Sequence, residues 1–275
     1  MTDLFGNEEV TLERKVEQSL RLIRSVCKMK GDFRDRLIGG MSGGKDSAVV
    51  YDLVMQVDNS VPFYYANTTI DPPGTMKFIR EYYPNVEILQ PKKGYFTLVR
   101  EKGLPTRQAR YCCELLKEYV GVGKNMFEGI RSEESRNREG RDYIQCDSRT
   151  AYKGGQHIYP IYDWTERDVW EYIDKRGIKT NPNYKRNGGC MERIGCVGCP
   201  LGGRYQRALE FQHFPKYLEA NRLAIKHGME NNPQWKLTQL SGGDADAVMK
   251  WWLNGRKSME EWFSKPTNTL FDDEE

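Results

Sequence analysis

The sequence predicts an α/β fold: a parallel twisted sheet with helices on both faces, followed by a cysteine-containing, mainly helical C-terminal region. Three observations carry that expectation. Strand-like and helix-like segments alternate as far as residue 177, the pattern of a parallel sheet covered on both sides. A glycine-rich loop, GGMSGGKDS (39–47), falls between a strand candidate and a helix candidate. From 178 the alternation stops, and glycine, asparagine, proline and cysteine give way to helical segments. The expected regions are an N-terminal helix in 1–30, a loop-bearing α/β domain in 31–177, and a Cys-rich loop with a helical region in 178–275.

Taken in order, Leu12, Val16, Leu20, Ile23 and Cys27 recur at spacings of three and four, one apolar stripe on a helix. DRLIGGM is a short strand leading into the loop, and SAVVYDLVMQV continues from it as a helix. PFYYANTTI reads as the next strand, TMKFIREYY as a helix and NVEIL as a strand. ELLKEYVG reads as a helix ending at Gly121, and NMFEGIR as a strand. In YPIYDWTERDVWEYIDKRG, Thr165 is placed to cap a helix, Asp168 takes its third position and Gly177 ends it. Residues 178–204 show no core period and require a local organiser such as a metal. Residues 205–262 are mostly helical; SGGDADAV (241–248) echoes the first glycine loop but lacks its lysine and reads as a capped helix start.

The totals bound the function. A chain of 275 residues fits one large α/β domain with an appendage, or two small domains. With 38% hydrophobic and 12% aromatic residues it can bury a core, which excludes wholesale disorder. The net charge of +3 excludes a strongly basic nucleic-acid coat and leaves room for local patches. No apolar run is long enough to span a bilayer, and the N-terminus lacks a secretory pattern, so no membrane partner and a cytoplasmic location are expected. Seven cysteines in such a compartment point to ligands, redox groups or core residues rather than disulfides. Cys27 and Cys146 stand alone and read as small buried hydrophobes.

The loop satisfies G-x-x-x-x-G-K with Gly39, Gly44 and Lys45, but the next residue is Asp46 rather than Ser or Thr, and the hydroxyl of Ser47 arrives one place late. Whether it is a Walker A loop depends on what the rest of the chain supplies. Glycines at 43 and 44 let backbone N–H groups turn toward an anion, and the following helix start adds partial positive charge. Lys45 brings an ammonium, Ser42 and Ser47 bring hydroxyl donors, and Asp46 caps the helix or organises the loop or a metal ion.

S-G-G-K-D-S resembles the PP-loop of the N-type ATP pyrophosphatases, which include adenylating and thiolating enzymes and the phosphoadenosine-phosphosulfate (PAPS) reductases. Four further stretches are similar to segments of the PAPS-reductase-like family: NTTIDPPGTMKFI (67–79), PTRQARYCCELLK (105–117), GIRSEESRNR (129–138) and YPIYDWTERDVWEYI (159–173). The resemblance covers residues 35–204 and makes 31–177 a PP-loop nucleotide-binding domain of the adenine nucleotide α-hydrolase-like, Rossmann-like class. It implies that the loop, Ser42 to Ser47, holds the β- and γ-phosphates of ATP or a sulfate-like group, and leaves the α-phosphorus open to attack. The adenine nucleotide would be ATP, with Mg2+, or adenosine phosphosulfate (APS) or PAPS. By position, Arg131, Ser135 and Arg138 would contact phosphate or sulfate, with Thr69, Arg107, Arg110 and Lys117 at the same cleft and Lys45, Asp46 and Arg131 as the catalytic set. Guanidinium forks suit tetrahedral anions.

Cys196-Val-Gly-Cys199 can form a knuckle with both sulfurs facing one centre, or a thioredoxin-like redox pair. Cys112 and Cys113 at a helix start point about 100° apart, awkward for one tetrahedral zinc and workable for two irons of one cluster. Four thiolates are the complement of a 4Fe–4S cluster. The C-C…C-x-x-C layout resembles the cluster-bearing sulfonucleotide reductases and DNA-phosphorothioation sulfurtransferases, which implies Cys112, Cys113, Cys196 and Cys199 as ligands. Zinc on Cys190, Cys196, Cys199 and His213 is the alternative, and a metal-free chain the third.

The sequence departs from the reductases of that family in one respect: no cysteine follows Cys199, where they carry a nucleophilic one. Three readings result. The first is a transferase that splits ATP between its α- and β-phosphates and activates an acceptor for sulfur insertion. The second is an oxidoreductase that makes sulfite from APS or PAPS with a borrowed thiol. The third is a non-catalytic subunit of a defence or modification complex that binds nucleotide or nucleic acid. Partners would be the nucleotide, a sulfur-donor or thiol protein, nucleic acid or a second copy. Trp235, Trp251, Trp252, Lys250, Arg256 and Lys257 are candidates for gripping a strand, although core and helix surface is the more ordinary role for them.

Overall fold

A computed structural model of the chain describes residues 11–134, 138, 140, 142–146, 154–255 and 257–264. They divide into two compact units that interleave along the chain. The first takes the described residues up to Asn67, then Asp71–Pro91 and Leu116–Gly195; the second takes Thr68–Ile70, Lys92–Leu115 and those from Cys196 onward.

The first unit opens with α1 (Leu12–Cys27), capped by Thr11, whose hydroxyl accepts from the Arg14 N–H. Its apolar stripe is buried as the spacing requires, with Ile23 and Val26 in the core and Val16, Leu20 and Cys27 packed beside them. After the single turn of α2 (Asp32–Asp35) come β1 (Leu37–Met41), α3 (Lys45–Val57), β2 (Phe63–Ala66), α4 (Thr75–Tyr82) and β3 (Val86–Leu89). α5 (Tyr95–Lys102) and all but the last residue of α6 (Tyr111–Leu116) belong to the second unit. The chain returns to the first with β4 (Asn125–Phe127), β5 (Ile144–Cys146), β6 (Gln156–Ile158) and α7 (Glu166–Arg176).

The strand order is β3-β2-β1-β4-β6-β5 in one six-stranded sheet. Every neighbouring pair is parallel except the last, where β5 runs antiparallel to β6 with Ile144 opposite Ile158. The α/β expectation therefore holds, with an antiparallel edge. α3 buries Val49, Val50, Leu53 and Val54 completely, because α1 and α7 pack against it as well as β1. A helix enclosed on several sides needs apolar residues most of the way round. Trp164 is fully buried; its indole N–H donates to Ser19 Oγ at 3.1 Å, and that hydroxyl donates to the Pro160 carbonyl at 2.6 Å. α7 starts with the capping box of Thr165 and Asp168 and ends at Gly177 in the left-handed region.

Three expectations change. β2 stops at Ala66, and Thr69, at φ 61°, belongs to the second unit. The helix read through Gly121 ends at Leu116, and Glu118–Gly121 forms a tighter 3-10 turn. In residues 178–195 hydrogen bonds supply local organisation. Asn181, wholly buried, accepts from Asn183 N–H at 3.0 Å and donates to Thr75 Oγ1 at 3.1 Å. Backbone bonds then fold the chain back, Met191 N–H to Asn183 O and Lys185 N–H to Met191 O, each 2.9 Å.

In the second unit α5 packs on α9 (Pro215–Asn231), beside α8 (Arg204–His213), α10 (Lys236–Ser241), α11 (Ala245–Asn254) and α12 (Met259–Phe263). Leu98, Val99, Ile225, Met229, Val248 and Trp252 are buried there. SGGDADAV is a capped helix start, as expected: Asp244 accepts from the N–H groups of Asp246 and Ala247 at 2.8 and 3.0 Å. Trp252 is core, and the Trp251 indole donates to Lys257 O at 3.1 Å. Arg256 lies outside the described residues. Among those described, no helix is long and apolar enough to cross a membrane.

Candidate functional site

From β1 the chain moves to β2 and then β3 on one side, while β4 lies on the other side of β1. Such a reversal opens a crevice at the carboxyl ends of the two strands where the direction changes. Both ends carry loops the sequence singles out: Ser42–Gly44 follows β1, and Gly129–Arg131 follows β4. The cleft there has a volume of about 340 Å³, within the range of small-ligand pockets.

The glycine loop is held by its own serines. Ser42 N–H donates to Ser47 Oγ at 3.1 Å, the two hydroxyls lie 3.0 Å apart, and Ser47 Oγ reaches the Gly44 carbonyl at 2.9 Å. Gly43 has φ 75°, the left-handed conformation that lets the loop turn back on itself. No side chain caps α3 at Gly44, so its first turn keeps N–H groups for an incoming anion. The Lys45 N–H is the exception, donating to Tyr184 Oη at 2.7 Å. Burial pushes the Tyr184 phenol well above its ordinary range, so it stays neutral there.

Asp46 is clamped from both sides. Arg131 Nε donates to Oδ1 at 2.6 Å, and Lys45 Nζ to Oδ2 at 3.2 Å. Both cations are buried at 4% exposure, with Lys45 also 3.4 Å from Glu166 and Arg131 Nη1 2.7 Å from Glu133. Neither is among the residues lining the cleft; Ser42, Gly44, Asp46 and Ser47 are. Lys45 and Arg131 thus stand behind the carboxylate. Gly129 makes this approach possible: a Cβ there would come within 2.6 Å of the Asp46 carbonyl carbon.

The cations that line the cleft are Lys117, Arg138 and Arg193. Glu134, with its side chain only 7% exposed, gathers two of them, pairing with Arg138 and lying 2.8 Å from Arg193. Tyr64, Tyr65, Val120, Met126, Ile130 and Ile194 give the remaining wall an apolar and aromatic character. Of the residues the sequence proposed, Ser135 lies outside the described residues. Thr69, Arg107 and Arg110 belong to the second unit. Arg193, Glu134 and Tyr184 were not singled out. Arg193 stands in the stretch without core period, and Tyr184 reaches the loop through that stretch's backbone pairing.

The second unit holds Cys112, Cys113, Cys196 and Cys199, whereas Cys190 belongs to the first. Arg107 donates from Nε and Nη2 to the carbonyls of Pro200 and Leu201 at 3.1 and 3.0 Å, tying the segment before the tandem cysteines to the one after the knuckle. The knuckle is fixed by Val197 N–H to Ile70 O, Gly198 N–H to Glu210 Oε2 and Gly202 N–H to Cys199 O, at 2.9, 2.7 and 2.9 Å. The Cys112 thiol is pushed far above its ordinary range by its hydrogen bond with Cys113, by burial, and by the neighbouring sulfurs of Cys113, Cys196 and Cys199. Among the described residues, no three His, Cys, Asp or Glu side chains converge to hold a metal ion as drawn. The donor chemistry nevertheless suits an iron–sulfur cluster. The Cys113 hydrogen bond, burial and the nearby sulfurs oppose ionisation of Cys112, a cost that a bound cation relieves. Arg207, in the same unit, is buried with Nη1 bonded to Trp252 O and with Nε and Nη2 unsatisfied among the described residues. Of the two isolated cysteines, Cys27 is partly buried, and Cys146 is exposed on the edge strand β5, a correction to its reading as core.

Loop, switch-point crevice and sheet order together define a PP-loop protein of the α/β class. Within it, the chain belongs to the phosphoadenosine phosphosulfate reductase family, whose domain model matches residues 36–201. An uncharacterized protein of Methanocaldococcus jannaschii is 30% identical over 76% of this chain, which spans about half (52%) of that relative's length. The adenosine 5′-phosphosulfate reductase of Geobacillus kaustophilus is 28% identical over 61% of this chain and 74% of its own. In fold, the phosphoadenylyl-sulfate reductase of Candida auris, solved as a phosphate complex, overlays with a TM-score of 0.51 at 16% identity, covering 68% of this chain and 95% of its own.

Proposed function

We propose that the chain binds ATP in the cleft of the first unit, splits it between the α- and β-phosphates, and activates an acceptor for sulfur transfer. The observation that carries this reading is the crevice itself. Its lining combines an uncapped helix start and serine hydroxyls, three cations, and apolar and aromatic side chains suited to a planar base. The terminal phosphates would lie against the α3 amides, Ser42 and Ser47, with Lys117, Arg138 and Arg193 offsetting their charge. An acceptor oxygen attacks the α-phosphorus, the bridge to the β-phosphate breaks, and pyrophosphate leaves with the bonding pair. Reduced sulfur then displaces AMP from the activated acceptor. Asp46, held by Lys45 and Arg131, orients the loop; Mg2+ accompanies the triphosphate as part of the substrate.

Cys112, Cys113, Cys196 and Cys199 are the residues that would hold a 4Fe–4S cluster. Such a group, when bound, supplies a site that can carry sulfur or an electron. What this chain's residues contribute is enclosure: Arg107 and the knuckle bonds hold the two cysteine pairs in one unit.

A second reading, reduction of APS or PAPS to sulfite, is favoured by the 28% identity to a protein named adenosine 5′-phosphosulfate reductase. Two thiols would be oxidised to a disulfide as sulfur(VI) becomes sulfur(IV). Among the described residues, the cleft lining includes no cysteine, and this reading takes both thiols from elsewhere. Incubation with ATP, APS and PAPS, with and without tRNA or DNA, separates the readings. Pyrophosphate and AMP from ATP are expected. Sulfite from APS or PAPS would establish the second reading, and nucleotide binding without any turnover a non-catalytic subunit.

A further inference from the structure

The second unit contains a cavity of about 810 Å³ built from its own residues: Thr106–Gln108, the start of α8, and the stretch joining α11 to α12. Arg107, Arg204, Arg207 and Lys257 line it, against Glu260 and Glu261. Both carboxylates are engaged elsewhere. Glu260 pairs with Lys236, and Glu261 accepts from the Ser258 N–H at 2.8 Å in the capping box of α12. The lining therefore carries an excess of positive charge.

Arg207 is the residue that points to a ligand. It is 4% exposed; Nη1 donates to Trp252 O at 3.2 Å, and the guanidinium lies over the Trp252 ring, 4.4 Å from its centroid. Nε and Nη2 are buried and have no hydrogen-bond partner among the described residues. Those two nitrogens form one edge of the guanidinium plane, the parallel N–H pair that grips two oxygens of a single oxoanion. Leaving them unanswered on a charged group is costly. The side chain lies against two glycines of the cavity lining: a Cβ on Gly202 would be 3.7 Å from Cγ, and one on Gly255 3.7 Å from Nη1.

The helix that carries Arg207 adds to this. α8 is ten residues long, and no side chain caps it at Gly203, so its first turn brings N–H groups and partial positive charge to the same lining. Arg204 and Arg207, three apart, share one face of that helix.

We propose that this cavity is a phosphate-binding site, in which Arg207 Nε and Nη2 hold two oxygens of the group and the α8 start, Arg204 and Lys257 offset its charge. Several cations converging with a helix start suit a tetrahedral, multiply charged anion better than a single carboxylate. The site lies wholly in the second unit and requires neither the nucleotide cleft nor any metal on the cysteines. The phosphate is either a free or terminal group or a phosphodiester of a nucleic-acid backbone.

The test observes Arg207 directly. In the full chain labelled with nitrogen-15, its Nε–H resonance is identified by through-bond assignment and by its loss in Arg207→Lys. Inorganic phosphate, titrated at constant ionic strength, should move that resonance and the Arg204 amide saturably. Arg204→Ala and Lys257→Ala, both exposed positions, should each weaken the titration about fivefold or more and leave the melting temperature within about a degree. A response to inorganic phosphate alone supports the site and assigns it to a free or terminal group. A response at lower concentration to a short single-stranded DNA without terminal phosphates supports it and assigns it to a backbone. A resonance that moves with neither probe, or equally with chloride, overturns the proposal and leaves Arg207 as packing for Trp252. Phosphate shifts confined to the amides of Ser42–Ser47 also overturn it, with the nucleotide cleft unaffected. So does a titration that both alanine variants leave unchanged.

Discussion

Asp46 is the residue on which the candidate site turns, and its neighbours separate into two kinds. Lys45 and Arg131 are buried and pair with its two oxygens, whereas Arg193 lines the cleft and its side chain is 63% exposed. Truncating them should therefore look different. Arg193→Ala should weaken ATP at least tenfold in a direct titration while leaving the melting temperature within about a degree, since exposed pairs contribute little to stability. Lys45→Ala should weaken ATP as well, and also lower stability by about 3 kcal/mol, because it leaves a buried part of the Asp46 clamp uncompensated. Equal stability of the two variants would argue against the division. The sequence made Lys45 and Arg131 visible through the motifs they sit in. It left Arg193 unremarked, because nothing in CMERIGC shows that a buried asparagine earlier in the chain, Asn181, helps fold that stretch back.

Elements show where local patterning suffices. α7 is legible end to end: Thr165 and Asp168 form its capping box, and Gly177 closes it. Its docking is not legible, because it depends on Lys15 of α1, whose ammonium lies 2.6 Å from Asp168. Burial opposes the Asp168 charge, but the bonds from Lys15 and Thr165 outweigh it and hold its carboxyl below the usual range. The folded pKa is thus lower than the unfolded one. The stability Asp168 contributes is present above the unfolded value, about 3.9, and is lost as pH falls through the folded one. Urea unfolding of wild type and Asp168→Asn should differ by about 2–3 kcal/mol at pH 7 and converge below pH about 3. A difference that stays constant with pH would remove the ion pair as its cause. β5 and β6 were missed for the opposite reason: three residues each, with Gln156 and His157 in β6, are too few to show a period of two.

At the scale of the whole molecule, two compact units alternate along the chain, and each carries a candidate site. The cysteines make the sharpest test. Anaerobic protein should be brown and carry four irons per chain, and Cys112→Ser should lose most of that iron, with broad absorbance falling in proportion. Colourless protein with one zinc would exclude the cluster and point to the Cys196–Cys199 knuckle.

What the residue order settled by itself was the α/β class, the family and the place of the glycine loop between β1 and α3. These depend on patterns that neighbours along the chain enforce: apolar spacing, a helix cap, glycines ahead of a helix start. Folding in space decided which charges reach the cleft and which stand behind it, and left Arg207 buried with two donors unanswered. Burial and pairing are set by groups far apart in the chain, as with Arg131 and Asp46, and no local spacing encodes them.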